Sequence, residues 1–280
     1  MNGFSPAHRA ILALLFSAVL CSAAGVCVKS IHWNSFAITG LMGGIGALVH
    51  WAWFGFKSLH FSKTQWLAGA CFAAGMFLYI VAMQFTTAAN AIFLNYTSST
   101  YIAFLGWWLL NERISRIDVL SITLMILGVL LFFCDRLTFE GWVGNFYALV
   151  SAIPYALSIV LMRKEKKESP LKSLLLGNAM SFVVGLPFMF SAAPQGAGWF
   201  GLIALGIFYT GVPTILLAYG IPRVRAIDTT FITMINPILA PLWVFLFIGE
   251  IPQPLALVGG TIVLLASLLQ GWRATSQKTD

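Results

Sequence analysis

Residues 88–110 read AANAIFLNYTSSTYIAFLGWWLL and contain no charged side chain. A helix of about 20 apolar residues crosses the roughly 30 Å hydrocarbon core of a bilayer, so this stretch is long enough to span a membrane. In its middle, the seven consecutive residues Asn95–Tyr101, here called the polar belt, carry side chains that include hydrogen-bonding groups. Because polar side chains are costly in contact with lipid, we expect the belt to face protein or a water-filled cavity.

The rest of the chain has the same apolar character. Hydrophobic residues make up 59% of the 280 positions and charged residues 9%, whereas a soluble domain carries about 25% charged residues. Continuous apolar runs in lipid must form helices, because a helix satisfies its backbone hydrogen bonds within one segment. We therefore predict an all-α, multi-pass protein of a bacterial-type inner (plasma) membrane with ten transmembrane helices. The ten runs are Ala10–Val28, Asn34–Phe56, Gln65–Phe85, Ala88–Leu110, Ile117–Cys134, Gly141–Leu161, Leu171–Phe190, Gly198–Tyr219, Ile227–Ile248 and Pro254–Trp272.

The distribution of basic residues predicts how these helices are oriented. With a cytoplasmic N-terminus, ten spans place fourteen of the sixteen Lys and Arg residues on the cytoplasmic side and leave Lys29 and Arg136 opposite. Such an excess on the cytoplasmic side is the general rule for membrane proteins. We therefore predict that both termini are cytoplasmic. The basic cluster RKEKK at 163–167 falls in the central cytoplasmic linker, and we expect no nucleic-acid partner.

The opening stretch recurs in the second half of the chain after a shift of 138 residues. Residues 226–253 read AIDTTFITMINPILAPLWVFLFIGEIPQ, which aligns Ala88 with Ala226 and Glu112 with Glu250. Five spans per half is an odd number, so the second half must be inverted in the membrane. We therefore predict two inverted five-helix repeats, residues 1–136 and 137–280. Repeats of this kind commonly bind their substrate near the midplane of the bilayer, at the interface between them.

Three features resemble the EamA family of the drug/metabolite transporter superfamily. They are the paired segments that end in Asn111-Glu112 and Gly249-Glu250, the runs SITLMILGVLLFF (121–133) and GGTIVLLASLLQ (259–270), and the segment GNFYALVSAIPYALSIVLMRK (144–164). The chain looks most similar to bacterial amino acid exporters, including the aromatic amino acid exporters. The resemblance implies two EamA-type repeats and transport rather than enzymatic activity. A basic residue often seen early in the second helix of the family is absent here, so no preference for substrate charge is carried over.

Several mid-span residues are candidates for a substrate site. The polar belt has a counterpart in TMINP, Thr233–Pro237, where the proline removes the hydrogen bond to the carbonyl of Thr233. On a regular helix Asn95 and Ser99 share one face. Hydrogen bonding between packed helices is the alternative role for the hydroxyl groups. The predicted substrate-binding residues are Tyr79, Asn95, Tyr96, Ser99, Tyr155, Asn178, Tyr209, Thr233 and Asn236.

Ionisable side chains are almost absent from the predicted spans. All nine acidic residues lie at span ends or in loops, whereas antiporters of cationic drugs usually need a carboxylate inside a span. His50 is the candidate for proton coupling, because imidazole changes charge near neutral pH, and a neutral, hydrogen-bonded histidine is the alternative. Glu112 and Glu250 are expected to bind backbone amides at helix ends. We expect no metal site and no cofactor, since the sequence carries neither a ligand cluster nor a Walker motif.

The candidate residues predict the class of solute. Hydroxyl and amide groups can donate to a carboxylate, Asn oxygens and free carbonyls can accept from an ammonium group, and aromatic rings accommodate an apolar side chain. We expect export of amino acids, aromatic and other neutral ones, by alternating access that is facilitated or weakly proton-coupled. Nucleobases, nucleosides and neutral drugs are the alternative substrates, and a membrane-embedded enzyme is the alternative of another class. The expected partners are the small-molecule substrate and the lipid bilayer, and a monomer is compatible with the sequence.

Overall fold

The fold is all-helical in the part of the chain that the computed structural model describes, residues 6–55, 60–111, 116–133, 139–165, 169–190, 194, 196–220, 223, 232–233 and 235–276. Two segments form other kinds of helix, a 3-10 helix at Leu186–Phe190 and a π-helix at Gly206–Gly211. The α-helices are α1 (Pro6–Ser22), α2 (Ala24–Ser30), α3 (Ser35–Trp53), α4 (Lys63–Phe85), α5 (Ala88–Asn95), α6 (Ser98–Leu110), α7 (Arg116–Phe133), α8 (Phe139–Lys164), α9 (Pro170–Gly185), α10 (Ala197–Leu205), α11 (Val212–Gly220), α12 (Ile235–Ile248) and α13 (Pro254–Ser276).

Each of the ten predicted runs contains helix, and the all-α fold class is confirmed. Ten crossings and the inversion of the two halves stay predictions. Glu112, which the sequence alignment pairs with Glu250, lies outside the described residues, as does Cys134. Within the described residues, six helical segments are long and apolar enough to cross a membrane on their own: His8–Ser30, Ser35–Trp53, Lys63–Phe85, Gly141–Lys164, Pro170–Phe190 and Gly198–Gly220.

Side-chain caps fix where several helices begin and end. The Ser62 hydroxyl accepts a hydrogen bond from the Gln65 amide at 3.1 Å, while the Gln65 side chain accepts one from the Ser62 amide at 2.9 Å. Thr87 begins α5 by accepting from the amide of Asn90 at 3.1 Å. At the end of α6, Asn111 adopts a left-handed backbone with φ of 55°, which asparagine tolerates. These caps satisfy backbone groups that helix ends leave without intrahelical partners.

Close contacts between glycines hold the middle of the bundle together. A Cβ atom added at Gly40 of α3 would lie 2.7 Å from the Cα of Gly185 on α9. A Cβ atom added at Gly69 of α4 would lie 2.9 Å from the amide nitrogen of Gly177, also on α9. Only glycine permits backbones to approach this closely, as is common in membrane helix bundles. The three helices α3, α4 and α9 therefore form a tight layer.

The helix contacts fall into pairs that the 138-residue shift relates. The contact of α3 with α9 and that of α7 with α13 each join one span to its own counterpart in the other half. The contact of α4 with α8 has as its counterpart the contact of α1 with α11. These contacts between the two halves therefore occur at corresponding positions of the 138-residue shift.

Candidate functional site

A cavity of about 350 Å³ lies in the interior, between helices from both halves of the chain. Small-molecule pockets commonly have volumes of about 300–1,000 Å³, so the cavity suits a small solute. Its wall is formed by α1, α2, α4, α5, α6, α8, α11, α12 and the π-helix. Seven of the residues predicted from the sequence line it: Tyr79, Asn95, Tyr96, Tyr155, Tyr209, Thr233 and Asn236.

Aromatic side chains form much of the wall. Tyr79, Tyr96, Tyr155 and Tyr209 come from four different spans and line the same cavity. The ring of Phe72 lies 6.5 Å from that of Tyr155, measured between centroids, in a tilted arrangement. A wall of this kind offers apolar ring faces together with hydroxyl groups that can donate or accept hydrogen bonds.

The polar part of the wall is uncharged. Among the described residues, no Asp, Glu, Lys, Arg or His side chain lines the cavity. Moving a net charge from water into such a site is costly unless an opposite charge compensates it. The cavity therefore favours a solute with no net charge. Besides the tyrosines, the hydrogen-bonding side chains are Ser17, Asn95, Ser98, Thr210, Thr214, Thr233 and Asn236.

The lining residues of the two halves correspond to each other. Seven of them lie after residue 137, and six of these seven have a lining partner 138 positions earlier in the chain; Tyr209 is the exception. Asn95 corresponds to Thr233, and Ser98 corresponds to Asn236. In these two pairs, each half contributes one amide and one hydroxyl. The other four pairs are Ser17 with Tyr155, Phe72 with Thr210, Met76 with Thr214, and Tyr79 with Leu217.

The polar belt breaks the fourth predicted span where that span meets the cavity. Helix α5 ends at Asn95 and helix α6 begins at Ser98. In the break, the amides of Thr97, Ser99 and Thr100 bond to carbonyl groups three residues earlier, over 3.1, 3.2 and 3.0 Å. Bonds of this type wind the backbone with three residues per turn instead of 3.6. As a result, Asn95 and Ser98 face the cavity.

The amide groups on the two sides of the cavity differ in how they are held. The Nδ2 atom of Asn95 donates to the Ser151 hydroxyl at 3.0 Å, and Ser151 in turn donates to the carbonyl of Ala148 at 2.6 Å. This chain orients the Asn95 side chain and directs its donor to α8. The Asn236 side chain forms no hydrogen bond with the part of the chain that the structure describes, so its donor and acceptor are both available to a solute.

The π-helix gives the cavity wall an irregular backbone. Pro213 lacks an amide hydrogen, so the regular bonding pattern cannot continue through it. Side chains supply other bonds: the Ser17 hydroxyl donates to the carbonyl of Pro213 at 2.9 Å, and that of Thr210 lies 3.0 Å from the Gly206 carbonyl. Such π-helical turns are rare and often occur at functional sites. Here the turn places Tyr209 and Thr210 on the wall.

His50 lies behind the cavity wall and does not line it. It is fully buried, and its Nε2 atom lies 2.7 Å from the Thr214 hydroxyl and 3.3 Å from the carbonyl oxygen of Gly211. A carbonyl can only accept, so the contact with Gly211 is a hydrogen bond in the tautomer that carries its hydrogen on Nε2. The Nδ1 atom is buried without a hydrogen-bond partner among the described residues. His50 is thus connected to the cavity wall through the Thr214 hydroxyl.

Two further residues predicted for the site also lie away from the cavity. The Ser99 hydroxyl lies 2.9 Å from the Ser267 hydroxyl and donates to the carbonyl of Tyr96 at 2.9 Å, which joins α6 to α13. Asn178 is 2% exposed and lies where α9 meets α3. A Cβ atom added at Gly46 would lie 3.0 Å from the Asn178 Nδ2.

The first helix contributes lining residues that were absent from the sequence-based prediction. Ser17 and Cys21 of α1 and Gly25 of α2 line the cavity. Serine, cysteine and glycine are small and common in packed membrane helices, so none of them stands out alone. The informative signal is their spacing of four residues, which places them on one helix face. The shift of 138 residues would also have paired Ser17 with Tyr155, which was already a candidate.

Comparison with known proteins identifies the family. The sequence profile of the EamA-like transporter family matches residues 8–134 and, separately, residues 142–271. The chain belongs to the EamA-like transporter family. It is therefore a multi-pass membrane transporter with a small-molecule substrate.

Individual relatives are also transporters by name. An uncharacterized transporter of Archaeoglobus fulgidus is 30% identical over 198 residues, which cover 70% of this chain and 71% of the relative. A probable terminal-alkyne amino-acid exporter of Streptantibioticus cattleyicolor is 24% identical over 222 residues, 75% of this chain and 74% of that protein. A solved crystal structure superposes with a TM-score of 0.67 at 18% identity and covers 94% of this chain and 97% of the other. At this identity, the likeness shows a shared fold.

Proposed function

We propose that this EamA-like transporter exports neutral amino acids, aromatic ones among them, through the uncharged cavity. The observation that carries the proposal is the wall itself, which combines amides, hydroxyls and tyrosine rings and has no Asp, Glu, Lys, Arg or His side chain among the described residues. A zwitterion has no net charge and needs separate partners for its carboxylate and ammonium groups. The probable amino-acid exporter among the relatives supports this substrate class.

The lining groups can be assigned to the parts of an amino acid. The amide nitrogen of Asn236 and the hydroxyl of Ser98 donate to the carboxylate, and the oxygen of Asn95 accepts from the ammonium group. The tyrosine rings surround the side chain and also attract a cation through their faces. Because the Nδ2 atom of Asn95 is directed at Ser151, its oxygen is the atom that we assign to the solute.

The proposed architecture has ten transmembrane helices in two inverted EamA-type repeats, residues 1–136 and 137–280, with both termini in the cytoplasm. Two observations support it. The family profile matches twice, once in each half, and six cavity-lining pairs are related by a shift of 138 residues. Equivalent halves can exchange conformations, which is the usual basis of alternating access.

The transport cycle needs no group beyond the cavity and the two halves. We propose facilitated transport, in which the solute gradient alone sets the direction of net flux. His50 is the residue through which weak proton coupling would act, by way of Thr214 at 2.7 Å. Both of its contacts are satisfied by a neutral imidazole that carries its hydrogen on Nε2, which supports the uncoupled cycle.

Nucleobases and nucleosides are the second candidate substrates. The tyrosine cluster favours them, because aromatic rings stack on planar bases and the amides can pair with base edges. Neutral drugs could stack on the same tyrosine rings but would form fewer polar contacts with the cavity wall.

Thermal unfolding of the purified protein in detergent separates these classes. A ligand that binds only the folded state raises the midpoint of unfolding, and the rise increases with the ratio of ligand concentration to Kd. We expect stabilisation by phenylalanine, methionine and threonine, and none by lysine or glutamate, which carry a net charge. Stabilisation by adenine or uridine alone would overturn the amino-acid assignment, and stabilisation by lysine or glutamate would overturn the uncharged site.

A further inference from the structure

A second polar cluster joins three helix ends beside the cavity. The Lys29 Nζ atom lies 3.3 Å from an oxygen of Glu250 and donates to the carbonyl of Thr86 at 2.6 Å. The other carboxylate oxygen of Glu250 accepts from the amide of Ala88 at 2.6 Å. These four residues, here called the polar latch, connect the end of α2, the turn between α4 and α5, and the segment between α12 and α13.

The polar latch is unusual in this apolar molecule. Its ion pair is the one salt bridge in the part of the chain that the structure describes. Each side chain is 19% exposed, so the charges are partly shielded from water. Each charge also has a backbone partner, and hydrogen bonds to charged groups are stronger than those between neutral groups. We therefore expect this contact to stabilise the packing of the three segments more than an ordinary surface ion pair, which contributes little to stability.

The latch lies one helical turn from the cavity. Gly25 precedes Lys29 by four positions and lines the cavity, and Ile92 follows Ala88 by four positions and also lines it. The backbone segments that the latch ties together thus continue directly into the cavity wall. Any movement that separates them changes the cavity at this end.

The helices beneath the latch are packed without a gap. A Cβ atom added at Gly25 would lie 3.0 Å from a methyl group of Val244 on α12 and 3.4 Å from the Cβ of Ala88 on α5. At Gly25 these atoms leave no room for a solute between α2, α5 and α12. The cavity wall is therefore closely packed at this level, next to the latch.

We propose that the polar latch is the gate at the non-cytoplasmic end of the cavity, and that Lys29 and Glu250 separate when the transporter opens to that side. The inference rests on the proposed topology, in which Lys29 lies opposite the cytoplasm. It does not depend on which solute is carried. Breaking the latch shifts the population towards states that are open to the non-cytoplasmic side.

Cys21 provides a direct readout, because its thiol lines the cavity. In a background with Cys27→Ala, Cys71→Ala and Cys134→Ala, a membrane-impermeant maleimide is added to right-side-out membrane vesicles. We expect slow labelling of Cys21 with the native latch and labelling about tenfold faster in Lys29→Met, since a hydrogen-bonded charge pair holds the closed state.

Further variants make the result decisive. Glu250→Gln keeps an acceptor for the Ala88 amide but removes the ion pair, and we expect it to accelerate labelling as well. Lys29→Arg restores the charge and should restore slow labelling. Lys63→Met makes the same change at an exposed position outside the latch and should have no effect. Equal labelling rates in the native protein, Lys29→Met and Glu250→Gln, all eluting as folded protein, would overturn the gate. No transported solute is needed, so an error in the substrate class leaves the test intact.

Discussion

The Ser99 hydroxyl lies 2.9 Å from the Ser267 hydroxyl, whereas Ser98, its neighbour in the chain, lines the cavity. Two adjacent serines of the polar belt thus have different surroundings, one between packed helices and one facing the cavity. The cause is the tightened backbone of the belt, in which hydrogen bonds join residues three positions apart. This pair allows the cavity and the helix contact to be tested separately.

Ser98→Ala should weaken transport, and Ser99→Ala should leave it unchanged. Loss of one hydrogen bond to the solute costs about 1 kcal/mol, so we expect the half-saturation concentration of uptake to rise about fivefold in Ser98→Ala. Ser99→Ala removes a bond between α6 and α13 and should lower the unfolding temperature instead. Uptake kinetics and thermal unfolding of both variants check this, and the reverse pattern would show that Ser99 faces the solute.

The hydroxyl of Tyr155 should contribute to binding independently of its ring. Tyr155→Phe keeps the ring and removes the hydroxyl, so we expect a rise of about fivefold in half-saturation concentration. Tyr147→Phe is the matched control, because the Tyr147 ring packs at 6.5 Å on that of Phe85, away from the cavity. Uptake assays measure the half-saturation concentration of both variants, and equal half-saturation concentrations would contradict a role for the Tyr155 hydroxyl.

Replacement of His50 should not abolish transport if a donor is retained. Glutamine can donate to the Gly211 carbonyl and to Thr214 but does not titrate, so we expect His50→Gln to transport normally with and without a pH gradient. His50→Leu loses the contacts with the Thr214 hydroxyl and the Gly211 carbonyl and should lower the free energy of unfolding by about 1–3 kcal/mol. Gradient-driven accumulation that is present in the native protein and lost in His50→Gln would establish proton coupling through this residue.

The contact between α3 and α9 should not tolerate a larger residue. Gly185→Ala places a methyl group 2.5 Å from the Cα of Gly40, and overpacking of this kind costs about 1–3 kcal/mol. We expect a lower unfolding temperature for the purified protein. Ala70→Leu enlarges an exposed side chain on α4 and should have little effect. A Gly185→Ala protein as stable as this control would mean that the two helices can move apart freely.

Composition and periodicity sufficed to predict the all-α membrane fold, because few charges and long apolar runs leave no other solution in lipid. The sequence also placed a polar site in the fourth span, since seven hydrogen-bonding residues in apolar surroundings need partners. The expectation that Glu250 binds a backbone amide is confirmed by its bond to Ala88 at 2.6 Å.

Composition and periodicity could not predict which individual side chains line the cavity and which lie between packed helices. A regular helix puts Ser99 on the same side as Asn95. In the structure, a tighter turn brings Ser98 to that side instead. The belt contains no proline, so the sequence gives no sign of this turn. Asn178 carries an amide on a predicted span, yet close packing against Gly46 places it between helices. Ser17 gave no signal alone, since a single serine in an apolar helix usually serves packing.

Uptake of labelled phenylalanine, threonine and methionine into liposomes, without a pH gradient, tests the central claim most directly. The native protein is compared with the double variant Asn95→Ala/Asn236→Ala, which removes the amide from each half of the cavity. We expect saturable uptake by the native protein and loss of this uptake in the folded double variant. Absence of uptake by the native protein, or equal uptake by both proteins, would contradict the assignment of the cavity as an amino-acid site.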